Sequence, residues 1–166
     1  MSSTPLIGIL MGSDSDHPVM SEAFSILKAL DVPYEFLVAS AHRSPERLRD
    51  YMRKAEGRGI KVFIAGAGGA AHLAGVIASE TDRPVIGVPL ESPHLKGLDS
   101  LLSTVQMPGG IPVATVAIGK AGARNAAILA VQILALNDKD LAARFRQYRV
   151  KMAEEVAKKS KGIGGL

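Results

Sequence analysis

The chain has 166 residues, with 20 Lys and Arg against 16 Asp and Glu, a formal charge of +4 and no cysteine. That length suits one domain with its own core, since a fold of about 150 residues buries roughly 68–70% of its unfolded surface. The lack of Cys excludes disulfides, Cys-ligated zinc and iron–sulfur clusters, and the mild basicity, with no aromatic residues interleaved among the Lys and Arg, argues against a nucleic-acid reader.

The N-terminal stretch MSSTPLIGILMG has no basic flank and only a short apolar run, so a secretory signal is not expected. Leu6 to Met11, closed by Gly12, has the pattern of a strand buried on both faces. A helix follows, with Pro18 in its first turn and Met20, Ala23, Phe24, Leu27 and Leu30 on one side. After Pro33, Tyr34 to Ala39 reads as the second strand. In the second helix Ser44 is placed to cap, Pro45 to start, and Leu48, Tyr51, Met52 and Ala55 to face the core, with Gly57 and Gly59 ending it. Val62 to Ala65 is the third strand, followed by a glycine loop and a helix from about His72 to Glu80. Residues 62–79 carry no Lys, Arg, Asp or Glu, yet their glycines and His72 argue for strand, loop and helix rather than a membrane span.

Val85 to Val88 is the fourth strand, Leu98 to Val105 a short helix, and Val113 to Ala117 the fifth strand. Ala121 to Leu136 is apolar nearly all round, which implies a central core helix or one buried between subunits. Leu141, Phe145, Tyr148 and Met152 form the seam of a long, charged terminal helix. Residues 1–160 are expected to form a single catalytic domain and 161–166 a flexible tail, with Lys158, Lys159 and Lys161 in a solvated end. Alternation of strand and helix implies an α/β fold, a doubly wound parallel sheet in three layers, with ligands bound beyond the carboxyl ends of the strands.

Three strand ends carry chemistry. In Gly12 to His17 the hydroxyls and amides suit an anion, while Asp16 is placed either to accept hydrogen bonds from a sugar diol or to cap the helix. In Ser40 to Pro45, His42 is a titratable imidazole beside the guanidinium of Arg43; the plainer alternative is that His42 bonds to backbone and Arg43 pairs with Glu46. Gly66 to His72 offers bare backbone amides and a narrow, dry pocket, with Ala70 and Ala71 assigned to packing, and His72 either to substrate or to support. The same loop satisfies a relaxed G-x-G-x-x-A pattern, with Glu91 about 20 residues on, so a dinucleotide-dependent oxidoreductase is a rival reading, and a non-catalytic nucleotide-binding module is another. The spacings of His17, His42, His72 and His94 match no familiar ligand motif, and no catalytic metal is expected.

Together MGSDSD at 11–16, SAHRSP at 40–45, AGAGGAAHL at 65–73 and GLDSLLSTVQMPGGIPVAT at 97–115 closely resemble the N5-carboxyaminoimidazole ribonucleotide mutase family, the catalytic subunits of phosphoribosylaminoimidazole carboxylase in purine synthesis. The resemblance implies a flavodoxin-like fold with a long C-terminal helix, a cytoplasmic homo-octamer, no cofactor and no metal. It also implies transfer of a carboxyl group within one small ribonucleotide; whether the enzyme makes transient contact with the synthetase that supplies it is left open by the sequence. His42 falls on the family's acid and base, Ser13 and Arg43 on phosphate contacts, and Asp16 on the ribose contact. Ser40, Gly68 and His72 fall on residues around the imidazole and carboxylate. A related subgroup carboxylates aminoimidazole ribonucleotide directly with carbon dioxide; AGAGGAAHL has the form of the mutase subgroup. Two positions depart from the pattern: Ala74 stands where proline is usual, and His17 where a bulky apolar residue is common.

Overall fold

The computed structural model describes residues 4–164; Gly165 and Leu166, the end of the expected tail, lie outside it. Its sheet has five parallel strands, β1 (Ile7–Met11), β2 (Tyr34–Val38), β3 (Val62–Gly68), β4 (Val85–Leu90) and β5 (Ala114–Thr115), in the order β2-β1-β3-β4-β5. Six α-helices connect and follow them: α1 (His17–Ala29), α2 (Pro45–Ala55), α3 (Leu73–Ser79), α4 (Leu98–Val105), α5 (Gly119–Ala135) and α6 (Lys139–Gly162).

Side chains alternate across each strand, and the two faces feed separate cores. Ile7, Ile9 and Met11 of β1, with Val62 and Ile64 of β3, pack under α1 and α5. Leu10, Phe63 and Ala65 point the other way, onto Leu48 and Met52 of α2 and Leu73, Ala74 and Ile77 of α3. Because both faces are covered, these strands read as continuous apolar runs. A core of such small residues brings backbones close. A Cβ on Gly122 of α5 would lie 1.6 Å from the carbonyl oxygen of Ala117, so no side chain fits there.

Several elements differ from the sequence reading. β3 continues through Gly66, Ala67 and Gly68 because β4 continues beside it, pairing Ala67 with Pro89 and Gly68 with Leu90. β5 shrinks to two residues at the sheet edge. Ser44 does not cap α2 with its side chain; its hydroxyl turns back to Ser40. α5 buries one face, including Ala123, Ala126, Ala127, Ala130 and Val131, while Ile128, Leu129, Ile133 and Leu134 stay half-covered. α6 runs to Gly162, so Lys158, Lys159 and Lys161 stand on its last turns, where cations favour the helix dipole, rather than in a tail. Among the described residues no helix is long and apolar enough to cross a membrane.

From β1 the chain first goes to one side, to the edge strand β2, and then crosses to the other side of β1, to β3. The crevice between β1 and β3 at their carboxyl ends is therefore the topological switch point at which such sheets bind ligands.

Candidate active site

A cavity of about 510 Å³ opens at that switch point. Gly12, Ser13 and Asp16 reach it from the end of β1, Ser40, His42 and Arg43 from the end of β2, and Gly68 from the end of β3. Glu91, Ser92 and Pro93 after β4 close a fourth side.

The β1 loop is a one-turn helix over Asp14–Asp16 built as a capping box. Ser15 N donates to Ser13 Oγ at 3.3 Å, and Ser13 N donates to Asp16 Oδ2 at 2.9 Å. Asp16 thus caps this short turn and not α1, while still lining the cavity. Burial pushes its carboxyl up from the ordinary value, against the lowering effect of the Ser13 and Gly12 amides. Asp14, fully exposed, is held below the ordinary value by the Ser13 hydroxyl that donates to it at 3.0 Å. Two carboxylates two positions apart in the same turn thus differ in environment, and Asp16 is the one turned toward the cavity.

The β2 loop is closed by the two serines. Ser40 N donates to Ser44 Oγ at 2.9 Å, and Ser40 Oγ accepts from Arg43 N at 3.1 Å. Arg43 leans across to the first loop, Nη2 to Gly12 O at 3.5 Å. It does not pair with Glu46, which Arg49 engages at 2.5 Å, so the guanidinium remains available to an anion.

His42 does not bond to backbone in the way the plainer reading allowed. Its Nε2 lies 2.8 Å from Nδ1 of His72, with the rings nearly perpendicular at 85°. Only one hydrogen fits between those two nitrogens, so one must be bare and the pair cannot be two imidazolium ions in this geometry. His72 itself is not part of the cavity wall; it reaches the site through His42.

The glycine segment divides differently from expectation. Ala71 is buried at 1% exposure and packs, but Ala70 is exposed and lines the cavity. Gly69 has φ +65°, which a glycine adopts without strain, and its N–H donates to Ser100 Oγ at 2.8 Å. Sequence reasoning missed Ser100 and its neighbour Asp99, and also the β4 loop as a wall. The rule that ligands sit at strand ends would have pointed to the β4 loop; nothing local marks the contact between positions 69 and 100. Gly66 and Gly68 belong to β3, and α3 starts only at Leu73, so the turn that would cradle a dinucleotide pyrophosphate is not formed. Among the described residues no group of three or more His, Asp or Glu is placed to hold a metal ion.

A larger hollow, about 680 Å³, lies at the opposite end of the strands around Ser79 to Val85. Its acids are engaged: Glu56 by Thr81 at 2.5 Å and Arg83 at 3.6 Å, and Glu80 by Arg49 at 3.8 Å. The acid–base groups and the switch point coincide only at the β1–β4 ends.

The AIR carboxylase family model matches residues 6–155, which span all four loops. The chain belongs to the AIR carboxylase family. Among its relatives, the N5-carboxyaminoimidazole ribonucleotide mutase of Pyrococcus horikoshii is 59% identical over 98% of this chain and 90% of the relative. That of Bacillus subtilis is 56% identical over 94% of this chain and 96% of the relative. A crystal structure of Treponema denticola PurE superposes with a TM-score of 0.85 at 30% identity, covering 95% of this chain and 98% of that one. Three of the four motifs line the one cavity and the fourth reaches it through the Ser100–Gly69 bond, and the departures from the family pattern are absorbed locally. Ala74, the second residue of α3, is buried at 3% exposure, and His17 packs its ring on Phe24 and Phe36 with centroids 5.7 and 6.3 Å apart.

Proposed function

We propose that this enzyme acts in purine synthesis, moving the carboxyl group of N5-carboxyaminoimidazole ribonucleotide from the exocyclic nitrogen to ring carbon four, with His42 as acid and then base. The observation that carries the reading is the His42–His72 pair at 2.8 Å, standing at a cavity walled by glycine backbone and flanked by Arg43 and Ser13. The relatives named as N5-carboxyaminoimidazole ribonucleotide mutases, at 52–60% identity, supply the substrate class.

Arg43 and Ser13 hold the phosphate, and Asp16 accepts from the ribose hydroxyls. The exocyclic C–N bond breaks as protonated His42 donates to the nitrogen, leaving carbon dioxide and aminoimidazole ribonucleotide. Gly68 and the backbone beside it confine the carbon dioxide next to carbon four, where proximity replaces a bimolecular encounter. The new C–C bond forms, His42 takes the proton from carbon four, and the ring is again as it began. His72 fixes the orientation of His42 and accepts or returns the hydrogen between them. Ser40 sets the backbone of Arg43.

The enzyme works in this reading as a cytoplasmic homo-octamer and meets the synthetase transiently. Exposed apolar side chains support the assembly: Leu98, Leu102 and Val105 on α4 are 46–52% exposed, and Val150, Met152 and Val156 on α6 are 48–67% exposed. Incubation with the ribonucleotide and no nicotinamide tests the reading by ultraviolet absorbance. Turnover is expected in the native enzyme, and His42→Asn is expected to abolish it while still binding the nucleotide. An unchanged spectrum at high enzyme concentration, or full activity in His42→Asn, would refute it.

A further inference from the structure

The glycine wall does not hold itself. Gly68, Gly69 and Ala70 offer no side chain long enough to bond to anything, and glycine is the residue with most conformational freedom to lose. What holds them comes from α4, about thirty residues away. Ser100, with 0% exposure, accepts from Gly69 N at 2.8 Å. On the next turn Thr104, also buried, donates to Ser100 O at 2.7 Å and approaches Ala71 O at 3.5 Å. Asp99 Oδ1 accepts from Ser100 N at 2.9 Å and from the hydroxyl of Ser92 at 2.8 Å. Ser92 itself lines the cavity from the β4 side. A single two-residue step at the start of α4 therefore ties Gly69 of the glycine wall to Ser92 of the neighbouring wall after β4.

We propose that Ser100, anchored by Asp99, is a positioning residue for carboxyl transfer: it sets the distance between the two walls so that carbon dioxide freed from nitrogen stays against carbon four instead of escaping. The inference rests on the carboxyl-transfer reading above. Neither residue touches the reacting atoms. Cleavage of the C–N bond needs only the proton from His42, whereas capture needs the wall as well. Loosening the wall therefore changes the fate of the carbon dioxide, which either forms the C–C bond or diffuses out and leaves aminoimidazole ribonucleotide behind. A displacement of about 1 Å in a reacting geometry can cost on the order of 100-fold.

The test is a single turnover with excess enzyme and substrate labelled in its N-carboxylate, corrected for spontaneous loss in buffer. The label retained on carbon four is compared with the label released as carbon dioxide. The native enzyme is expected to retain nearly all of it, and in Ser100→Ala the ratio of retained to released label is expected to fall about 10- to 100-fold. A purely structural role would lower the active fraction and leave this ratio unchanged, since each folded molecule would still partition normally. Should Ser100→Ala fail to fold, Asp99→Ala and Asp99→Asn carry the test. Asn keeps an acceptor for Ser92 and Ser100 and is expected to restore retention that Ala loses. Native retention in folded Ser100→Ala, or equal retention in the two Asp99 variants, overturns the proposal. Failure of the native enzyme itself to move label to carbon four would instead overturn the carboxyl-transfer reading.

Discussion

Asp16→Asn separates what the site needs from what the fold prefers. The Asp16 carboxyl is partly buried, accepts from the Ser13 amide at 2.9 Å, and has its pKa raised, mainly by burial, above the ordinary 3.8. A carboxyl with a raised folded pKa binds its proton more tightly in the native state. Its favourable contribution is therefore present at low pH and lost as pH rises from the unfolded value through the folded one. At neutral pH the ionised side chain is thus a small net cost, and Asn removes the charge while keeping a carbonyl oxygen for Ser13. We expect Asp16→Asn to equal or exceed the native stability at pH 7 by up to about 1 kcal/mol, because the side chain is still partly wetted and screened. For a chain of this size that is about 2–4 °C in Tm. The gain should vanish below the carboxylate range.

Binding should move the other way. A hydrogen bond from a ribose hydroxyl to a charged acceptor is worth about 1.5–3 kcal/mol, which is roughly a 10- to 150-fold rise in KM. The ribose lies away from the reacting atoms, so kcat should change much less. Differential scanning calorimetry from pH 3 to 8 and steady-state kinetics check both halves. A variant several degrees less stable at pH 7 would show that the charge holds the turn together. A native KM would remove Asp16 from the ribose.

Arg43→Ala should raise KM with a smaller effect on kcat if its guanidinium, free of Glu46 and leaning on Gly12 O at 3.5 Å, serves the phosphate as proposed and not the transferred carboxyl. A KM equal to the native value would contradict that role. Sedimentation at micromolar concentration should give an octamer of the 17.4 kDa chain, and a stable monomer there would rule out burial of the α4 and α6 apolar faces between subunits.

The parts of this fold legible in the sequence are those where one local pattern decides the outcome. β1 needs only its apolar run and Gly12, and α2 only Pro45 and the Leu48–Met52–Ala55 stripe. What escaped depends on a neighbour. β3 extends into the glycine segment because parallel pairing to β4 satisfies its backbone as far as Gly68, whatever the side chains there prefer. Ser44 has the composition of a cap, yet the carbonyl and amide of Ser40, four residues back, engage its hydroxyl first. The placement of His42 at a strand end was visible; its contact with His72, thirty positions on, exists only because β1 brings the ends of β2 and β3 to either side of one crevice.

The same arrangement explains how so few groups suffice. The proposed confinement of carbon dioxide calls for a narrow site, and the glycine segment lines this one with glycine and alanine, which pack closely but specify little. The specifying is done by hydrogen-bonded braces: Ser13 and Asp16 brace each other within the cavity wall, while from outside it Ser44 braces Ser40, His72 braces His42, and Ser100 braces Gly69. Each brace joins a cavity residue to its partner through a hydrogen bond of 2.8–2.9 Å, doubled at Ser40 by the Ser44 hydroxyl donating to Ser40 O at 3.2 Å. Two of them, at His72 and Ser100, bridge elements about thirty residues apart, so the geometry of the site depends on the docking of α3 and α4 as much as on the loops that carry the chemistry.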